Sequence, residues 1–200
     1  TAKRLNPALE VLKMRDITPY QFELPAAPFV AKGRKKISLE LLESAYAKIE
    51  SLCDIVLIEG AGGLLVPIEE DLYMYDFIRL FHAKTLLVGH DQLGCINDVL
   101  LNLHLLDSLG VDDYEWCINF RDDKETFDKT TKPFFQKLFG QVLSLQEDRQ
   151  KIIDSLVNKL DFKLEECTAI YDCSSSWKDY GKTIFKTKSN PENPTGLFSN

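Results

Sequence analysis

The 200-residue sequence lacks any apolar run of the roughly 20 residues that a membrane-spanning helix requires. Its first residues contain no apolar core of the signal-peptide type. Five cysteines without C-x-x-C spacing and three histidines without metal-ligand spacing argue against a zinc site and against a disulfide framework. We therefore expect a cytoplasmic protein with reduced cysteines and no membrane partner.

Positive charge is also scarce, with 24 lysine and arginine residues against 31 aspartate and glutamate residues and a net charge of −7. An acidic surface repels nucleic acid phosphates and anionic lipids, so we expect no nucleic acid partner. The basic residues at 32–36 are more typical of a solvated loop than of a phosphate-binding patch. A chain of 200 residues is long enough to bury a sizeable core.

Apolar segments with strand and helix patterns alternate along the chain, and this order predicts an α/β fold. The predicted strands are runs of apolar residues at 54–58, 85–89, 114–120 and 142–145. The predicted helices are amphipathic segments at 38–52, about 72–81, up to 109, 131–139 and 152–160. Strands separated by helices favour a three-layer sandwich with a mostly parallel sheet.

The two ends of the chain have a different composition from its middle. Residues 1–36 contain four prolines, which predict irregular structure apart from a short helix near 29–31. After about Asp161 the composition shifts towards serine, lysine, threonine and asparagine. We therefore expect one α/β domain over residues 1–160, incomplete at its N-terminus, and a poorly ordered tail over residues 161–200.

The most informative segment is an apolar run, 55–58, that leads into Glu59 and a glycine-rich turn. Such a run is typical of a strand buried on both faces, and open α/β sheets bind ligands beyond the carboxyl ends of their strands. Glycines let backbone amides approach an anion, and an adjacent carboxylate suits Mg²⁺. The pattern indicates Mg²⁺–nucleotide chemistry, although on spacing alone a tight turn with a solvated glutamate is an equally good interpretation.

Two further segments contain candidate ligand-binding residues. Gly94-Cys95-Ile96-Asn97 stands at the predicted start of a helix, where backbone amides favour anions, but Asn97 is equally typical of a helix cap. Asn119 ends a predicted strand, and its amide offers a donor and an acceptor to an adenine edge, although such an asparagine often only begins a turn. The sequence contains neither G-x-x-x-x-G-K-[ST] of a P-loop nor G-x-S-x-G of a hydrolase.

Taken together, these segments resemble the dethiobiotin synthetase family. The resemblance rests on Glu59-Gly60-Ala61-Gly62-Gly63-Leu64-Leu65-Val66-Pro67-Ile68, on Leu93-Gly94-Cys95-Ile96-Asn97 and on Cys117-Ile118-Asn119. A proline-bearing segment, 23–28, also stands at the family's relative position. The resemblance covers about residues 15–150, and its first two segments are fairly specific in this order and spacing.

The resemblance implies a P-loop NTPase-like fold, a homodimer and an ATP- and Mg²⁺-dependent ligase of biotin biosynthesis. Such an enzyme converts 7,8-diaminononanoate, CO₂ and ATP to dethiobiotin, ADP and phosphate. Carried over by motif, Glu59 would bind Mg²⁺ and Asn119 would bind adenine. The residues implied at the nucleotide phosphates are Gly60, Ala61 and Gly62. The residues implied at the diamine, some of them across the dimer interface, are Gly62, Gly63, Leu93, Gly94, Cys95 and Asn97.

The sequence departs from the family because the family's first strand, its P-loop lysine and a further Mg²⁺-binding aspartate have no counterpart in it. We therefore name no catalytic residue. We expect an N-terminally truncated chain that begins roughly 40–50 residues late, the length of a strand–P-loop–helix–strand unit, and is inactive alone. The alternatives are a P-loop-deficient, non-catalytic dimerisation or nucleotide-sensing module and a cobyrinate-synthase-like amidoligase, against which the segment at 94–97 argues.

Overall fold

The computed structural model describes residues 7–121, 124–158 and 185–187. These residues divide between Asp76 and Phe77 into two compact units, the first of which also contains the strand at 185–187. The predicted domain boundary near residue 160 lies outside the described residues, as does most of the predicted tail. Within the described ranges, no helix is both long enough and apolar enough to cross a membrane.

Helices and strands occur in both units, after a 3₁₀ helix at Pro7–Val11. The helices are α1 (Met14–Ile17), α2 (Pro28–Ala31), α3 (Leu39–Glu50), α4 (Asp76–Leu80), α5 (Cys95–Ser108), α6 (Lys124–Thr130), α7 (Lys132–Phe139) and α8 (Arg149–Asn158). The strands are β1 (Cys53–Val56), β2 (Pro67–Glu69), β3 (Leu72–Tyr73), β4 (Thr85–His90), β5 (Tyr114–Asn119) and β6 (Phe185–Thr187).

The α3 helix of the first unit lies where its apolar periodicity predicts it. Ser38 caps its N-terminus, because the Ser38 Oγ accepts a hydrogen bond from the Leu41 amide at 3.3 Å. Its buried face packs into the core of this unit, together with residues of the N-terminal segment and the first residue of β1. The buried residues of this core are Leu9, Leu12, Ile49 and Cys53.

The strand β1 differs from its prediction in extent and in burial. It ends at Val56, and the side chains of Leu57 and Ile58 are 47% and 39% exposed, whereas a strand buried on both faces was expected. Among the described residues, β1 pairs only with β6, and this pairing is antiparallel. The core of the first unit buries Cys53 and partly covers Val56, whereas the residues after the strand are exposed. The apolar run alone therefore did not determine burial on both faces.

A hairpin of β2 and β3 replaces the beginning of the helix predicted from about residue 72. The amides of Met74 and Tyr75 donate hydrogen bonds back to the carbonyls of Val66 and Leu64, both at 3.1 Å. These bonds hold the chain against the hairpin, and the helix α4 begins only at Asp76. The hairpin is therefore the element that supports the glycine turn.

The sheet of the second unit confirms the prediction of parallel strands. Strands β4 and β5 pair in parallel along their whole length, from Thr85 opposite Tyr114 to His90 opposite Asn119, and α5 connects them. The strand predicted at 142–145 is reduced to a single parallel bridge of Ser144 with Ile118. Two backbone hydrogen bonds of 2.9 Å, from Ile118 to Leu143 and from Leu145 to Ile118, hold that bridge.

The core of the second unit lies between β4–β5 and the helices α5, α6 and α7. Its buried residues are Cys95, Val99, Leu103, Ile118, Phe127 and Phe135. Aromatic rings dominate the side towards α6 and α7, with Trp116 packed edge-on against Phe135 at 5.3 Å between ring centroids. This packing fixes β5 and, with it, the strand end that carries Asn119.

Candidate functional site

The glycine turn of the first unit has a shape that requires glycine at one position. Gly62 has φ +97°, and a Cβ atom built there would lie 2.9 Å from the Cγ2 of Val66. The Gly62 amide donates to the carbonyl of Gly60 at 3.0 Å. A side chain at position 62 would therefore strain the backbone and displace the support beneath the turn.

The turn is exposed but held in place. Its residues 60–63 are exposed, while the Val66 amide donates to the Gly63 carbonyl at 3.0 Å and the hairpin bonds hold the chain after it. The amides of Gly60, Ala61 and Gly63 donate no hydrogen bond to another described residue. A fixed, exposed turn, in which these three amides are not used by other described residues, is suited to an anion such as a phosphate.

Glu59 lies just before this turn with an exposed side chain. Among the described residues there is no cluster of three or more histidines, cysteines, aspartates or glutamates that could hold a metal ion by protein ligands alone. Mg²⁺ is commonly bound through one or two carboxylates, water and substrate phosphates. A single glutamate beside phosphate-type amides therefore fits Mg²⁺ bound together with a nucleotide, and does not fit a metal site made of protein side chains.

An ion pair connects the hairpin to the preceding basic segment. Lys32 Nζ lies 3.0 Å from a carboxylate oxygen of Glu69, whose other oxygen accepts the Ile37 amide at 2.6 Å. The amide of Ile37 and the ammonium of Lys32 lower the pKa of Glu69 below its ordinary value. The basic run predicted as a solvated loop therefore has one member, Lys32, whose side chain is only 11% exposed.

The stabilising effect of Glu69 should depend on pH. Because its pKa is lowered in the folded protein, its contribution is present above the unfolded value of about 4.3 and is lost as the pH falls through the folded value. We expect Glu69→Gln to accelerate hydrogen exchange of the Ile37 amide at pH 7, with the difference from the native protein shrinking as the pH falls through the lowered pKa of Glu69. The matched control is Glu70→Gln at an exposed position, and equal effects of both substitutions would contradict this role of Glu69.

In the second unit, the loop after β4 presents some of the predicted residues and buries one. Leu93 is fully exposed, and Gly94, with φ +99°, immediately precedes α5. Asn97 is exposed, and its amide donates to the carboxylate of Asp98 at 3.2 Å. Cys95 is only 2% exposed, and burial raises the pKa of its thiol, so this side chain packs in the core rather than facing a ligand.

A histidine–aspartate pair at this edge was missed in the sequence. His90 ends β4, and its Nε2 lies 3.0 Å from the Oδ2 of Asp98. The amide of Gln92 donates to the Nδ1 of His90 at 3.1 Å, so the ring proton is on Nε2 and points to Asp98. The hydrogen bond from His90 lowers the pKa of Asp98. The only sequence signal was a histidine at a strand end, eight residues before an acid in the next helix.

Asn119 stands at the carboxyl end of β5, opposite His90 across the parallel pair. Its Oδ1 accepts a hydrogen bond of 2.8 Å from the Nε2 of Gln146, a residue that the sequence did not single out. The second unit thus brings together Asn119 and residues 91–97, which form the loop after β4 and the start of α5, at one sheet edge. Glu59 and the glycine turn belong to the first unit, and the ligand roles of all these residues remain predictions.

A parallel strand pair with polar residues at its carboxyl end in one unit, and an exposed glycine turn in the other, are typical of α/β proteins that bind nucleotides. Comparison with known proteins agrees, since a sequence model of the AAA domain family matches residues 8–142.

Named relatives then identify the family. The chain is 42% identical over 156 residues to the ATP-dependent dethiobiotin synthetase BioD of Sulfurovum sp. (strain NBC37-1), a match that covers 78% of this chain and 74% of that protein. It is 36% identical over 129 residues to the protein of the same name from Helicobacter pylori (strain J99), covering 62% and 59%. With that of Bacillus subtilis (strain 168), it shares 32% over 133 residues, covering 64% and 57%.

The chain belongs to the dethiobiotin synthetase family. This confirms the resemblance found in its motifs and the P-loop NTPase-like α/β fold class that the resemblance implied. The chain spans less than two thirds of the Helicobacter and Bacillus relatives.

Proposed function

We propose that this chain serves the ATP-dependent closure of the ureido ring of dethiobiotin from 7,8-diaminononanoate and CO₂, a ligase reaction of biotin biosynthesis. The observation that supports the proposal is the 42% identity to a named ATP-dependent dethiobiotin synthetase over most of both chains. The reaction forms a carbamate from one amine and CO₂ and phosphorylates it with ATP. The second amine then displaces phosphate and closes the ring.

The first unit contributes groups that suit the phosphates. The carboxylate of Glu59 supplies an oxygen ligand for Mg²⁺, which when bound neutralises charge on the phosphate oxygens. The amides of Gly60 and Ala61 donate to those oxygens, and Gly62 and Gly63 leave the backbone open to the diamine. Phosphoryl transfer depends chiefly on positioning and charge neutralisation, and these groups supply part of both.

The second unit contributes groups that suit the base and the diamine. Asn119 offers a donor and an acceptor to the adenine edge. Leu93 and Gly94 of the loop and Asn97 in the first turn of α5 are exposed, and they contact the diamine bound by a second subunit in a homodimer. Cys95 belongs to the same segment, but its buried thiol restricts any contact to the backbone. The reaction takes place in the cytoplasm, as expected for this composition.

The proposal is tested by dethiobiotin formation from 7,8-diaminononanoate, bicarbonate, Mg²⁺ and ATP. The 200 residues contain no P-loop motif, so we expect them to form little dethiobiotin alone. The same residues preceded by a strand–P-loop–helix–strand segment from a relative should form it at least about 100 times faster, because the motif supplies amides and a lysine to the phosphates.

The control for this comparison is the same fusion with the P-loop lysine replaced by alanine, which should return to the low rate. If the intact fusion binds ATP but forms no dethiobiotin, the ligase proposal fails. The result would then favour a nucleotide-sensing module instead.

A further inference from the structure

The side-chain amide of Gln146 has both of its ends fixed by backbone groups of one residue. Its Oε1 accepts a hydrogen bond from the Phe120 amide at 3.2 Å, and its Nε2 donates to the Phe120 carbonyl at 2.9 Å. A backbone N–H can only donate and a backbone carbonyl can only accept. The backbone donor and acceptor of Phe120 therefore determine which end of the Gln146 side-chain amide is oxygen and which is nitrogen.

This orientation passes to Asn119 without ambiguity. The second proton of Gln146 Nε2 points to Asn119 at 2.8 Å, so the atom that receives it must be the acceptor Oδ1. The Nδ2 of Asn119 is consequently on the other side of its amide, and it donates no hydrogen bond to another described residue. A rotation of the Asn119 amide by 180° would place two N–H donors against each other.

Gln146 itself stands on a rigid turn. The Leu145 amide donates to the Ile118 carbonyl at 2.9 Å, next to Gln146. The buried Ser144 receives the Glu147 amide on its hydroxyl at 3.1 Å, and its own amide donates to Asp148 at the same distance. These bonds hold the turn before α8 together and attach it to the end of β5. The backbone of Gln146 is therefore held in place beside Asn119.

We propose that Gln146 is the positioning residue that locks the Asn119 amide in the orientation that selects adenine. This inference rests on the proposed role of Asn119 as the base-binding residue and adds the source of its selectivity. In this orientation the Nδ2 of Asn119 can donate to N1 of adenine, and the second lone pair of Oδ1 can accept from the 6-amino group. The amide then matches the Watson–Crick edge of adenine.

The base that such a lock rejects is hypoxanthine, which has oxygen in place of the 6-amino group and N1–H in place of the N1 acceptor. Its Watson–Crick edge requires the opposite orientation of the asparagine amide. Adenosine and inosine triphosphates share their ribose and phosphates, so a comparison between them isolates the orientation of Asn119. The rest of the nucleotide site contributes equally to both.

The test measures the dissociation constants of ATP and of inosine triphosphate, with Mg²⁺, for the 200-residue chain and its variants. We expect the native chain to prefer ATP by about tenfold, as one bidentate contact allows. Gln146→Leu removes the lock and should bring the two constants within about threefold of each other. Gln146→Glu places an acceptor opposite Asn119, so it should turn the amide round and reverse the preference.

The control variant is Gln150→Leu, a glutamine of the next helix whose side-chain amide donates, among the described residues, to Asp154 at 2.8 Å. It should leave the preference for ATP unchanged. A second readout requires no nucleotide, because the side-chain amide protons of Asn119 should shift in the NMR spectrum of Gln146→Leu and not in that of Gln150→Leu. A merely structural role of Gln146 would change both affinities by the same factor.

The outcomes separate this inference from the proposed function. If the native chain prefers ATP and Gln146→Leu keeps that preference, the lock is wrong while the nucleotide role of Asn119 stands. If neither the native chain nor the P-loop fusion binds either triphosphate, the base-binding role of Asn119 fails and the inference fails with it. If only the fusion binds them, the comparison of ATP with inosine triphosphate is made with Gln146→Leu in the fusion. Loss of the preference in Gln146→Leu alone, accompanied by the shift of the Asn119 amide signals, supports the inference.

Discussion

Replacement of Glu59 by alanine should lower the rate of dethiobiotin formation by about 100- to 1000-fold in the P-loop fusion. Glu59 lies at the entrance of a turn whose amides suit phosphates, and the described residues around it form no metal cluster that would take over its role. In the proposed role, loss of this carboxylate would remove a ligand for Mg²⁺ beside the phosphates, and the transferring phosphoryl group would lose part of its charge neutralisation.

The dependence on Mg²⁺ concentration distinguishes this role from a general loss of structure. Glu59→Ala should require a higher Mg²⁺ concentration for half-maximal rate, while Glu59→Asp should recover part of the activity because it keeps a carboxylate. Glu70→Ala removes an exposed glutamate of the same unit and serves as the matched control. Near-normal turnover of Glu59→Ala would remove Glu59 from the site.

The parts of the fold that were predictable are those set by local sequence. The helix α3 follows from its cap and its apolar period, and the parallel pair β4–β5 follows from two apolar runs joined by a helix. The glycine-rich sequence predicts a turn at 60–63, and Gly62 adopts φ +97°, a conformation that favours glycine. In each case the residues that determine the structure lie within one element or directly beside it.

The parts that were not predictable depend on residues far apart in the chain. The antiparallel pairing of β1 with β6 joins residues more than 120 positions apart, and no local pattern indicates it. The contact of Asn119 with Gln146 spans 27 residues and depends on a turn held by the bridge at Ser144. Sequence motifs therefore identified the candidate binding residues, whereas the residues that orient them could be found only from the tertiary structure.

The largest expected effect on stability is at Phe135, which is fully buried at the centre of the aromatic core of the second unit. Its ring contacts Trp116 edge-on and also packs against Phe127 and Phe139, at 6.3 and 6.2 Å between centroids. Phe135→Ala removes these contacts and leaves a cavity, so we expect it to lower the free energy of unfolding by about 3–5 kcal/mol. Since Trp116 lies on β5, the loss should also loosen the strand that ends in Asn119.

The adjacent residue supplies a control of the same type in the same helix. Phe134 is 39% exposed, and we expect Phe134→Ala to cost only about 1 kcal/mol, because less apolar surface is removed from the interior. Urea unfolding followed by circular dichroism measures both, and hydrogen exchange of the Ile118 amide reports on β5 directly. Exchange should accelerate strongly in Phe135→Ala and little in Phe134→Ala. Similar losses in the two variants would show that the core of this unit is not centred on Phe135, and the argument that this core positions Asn119 would fail with it.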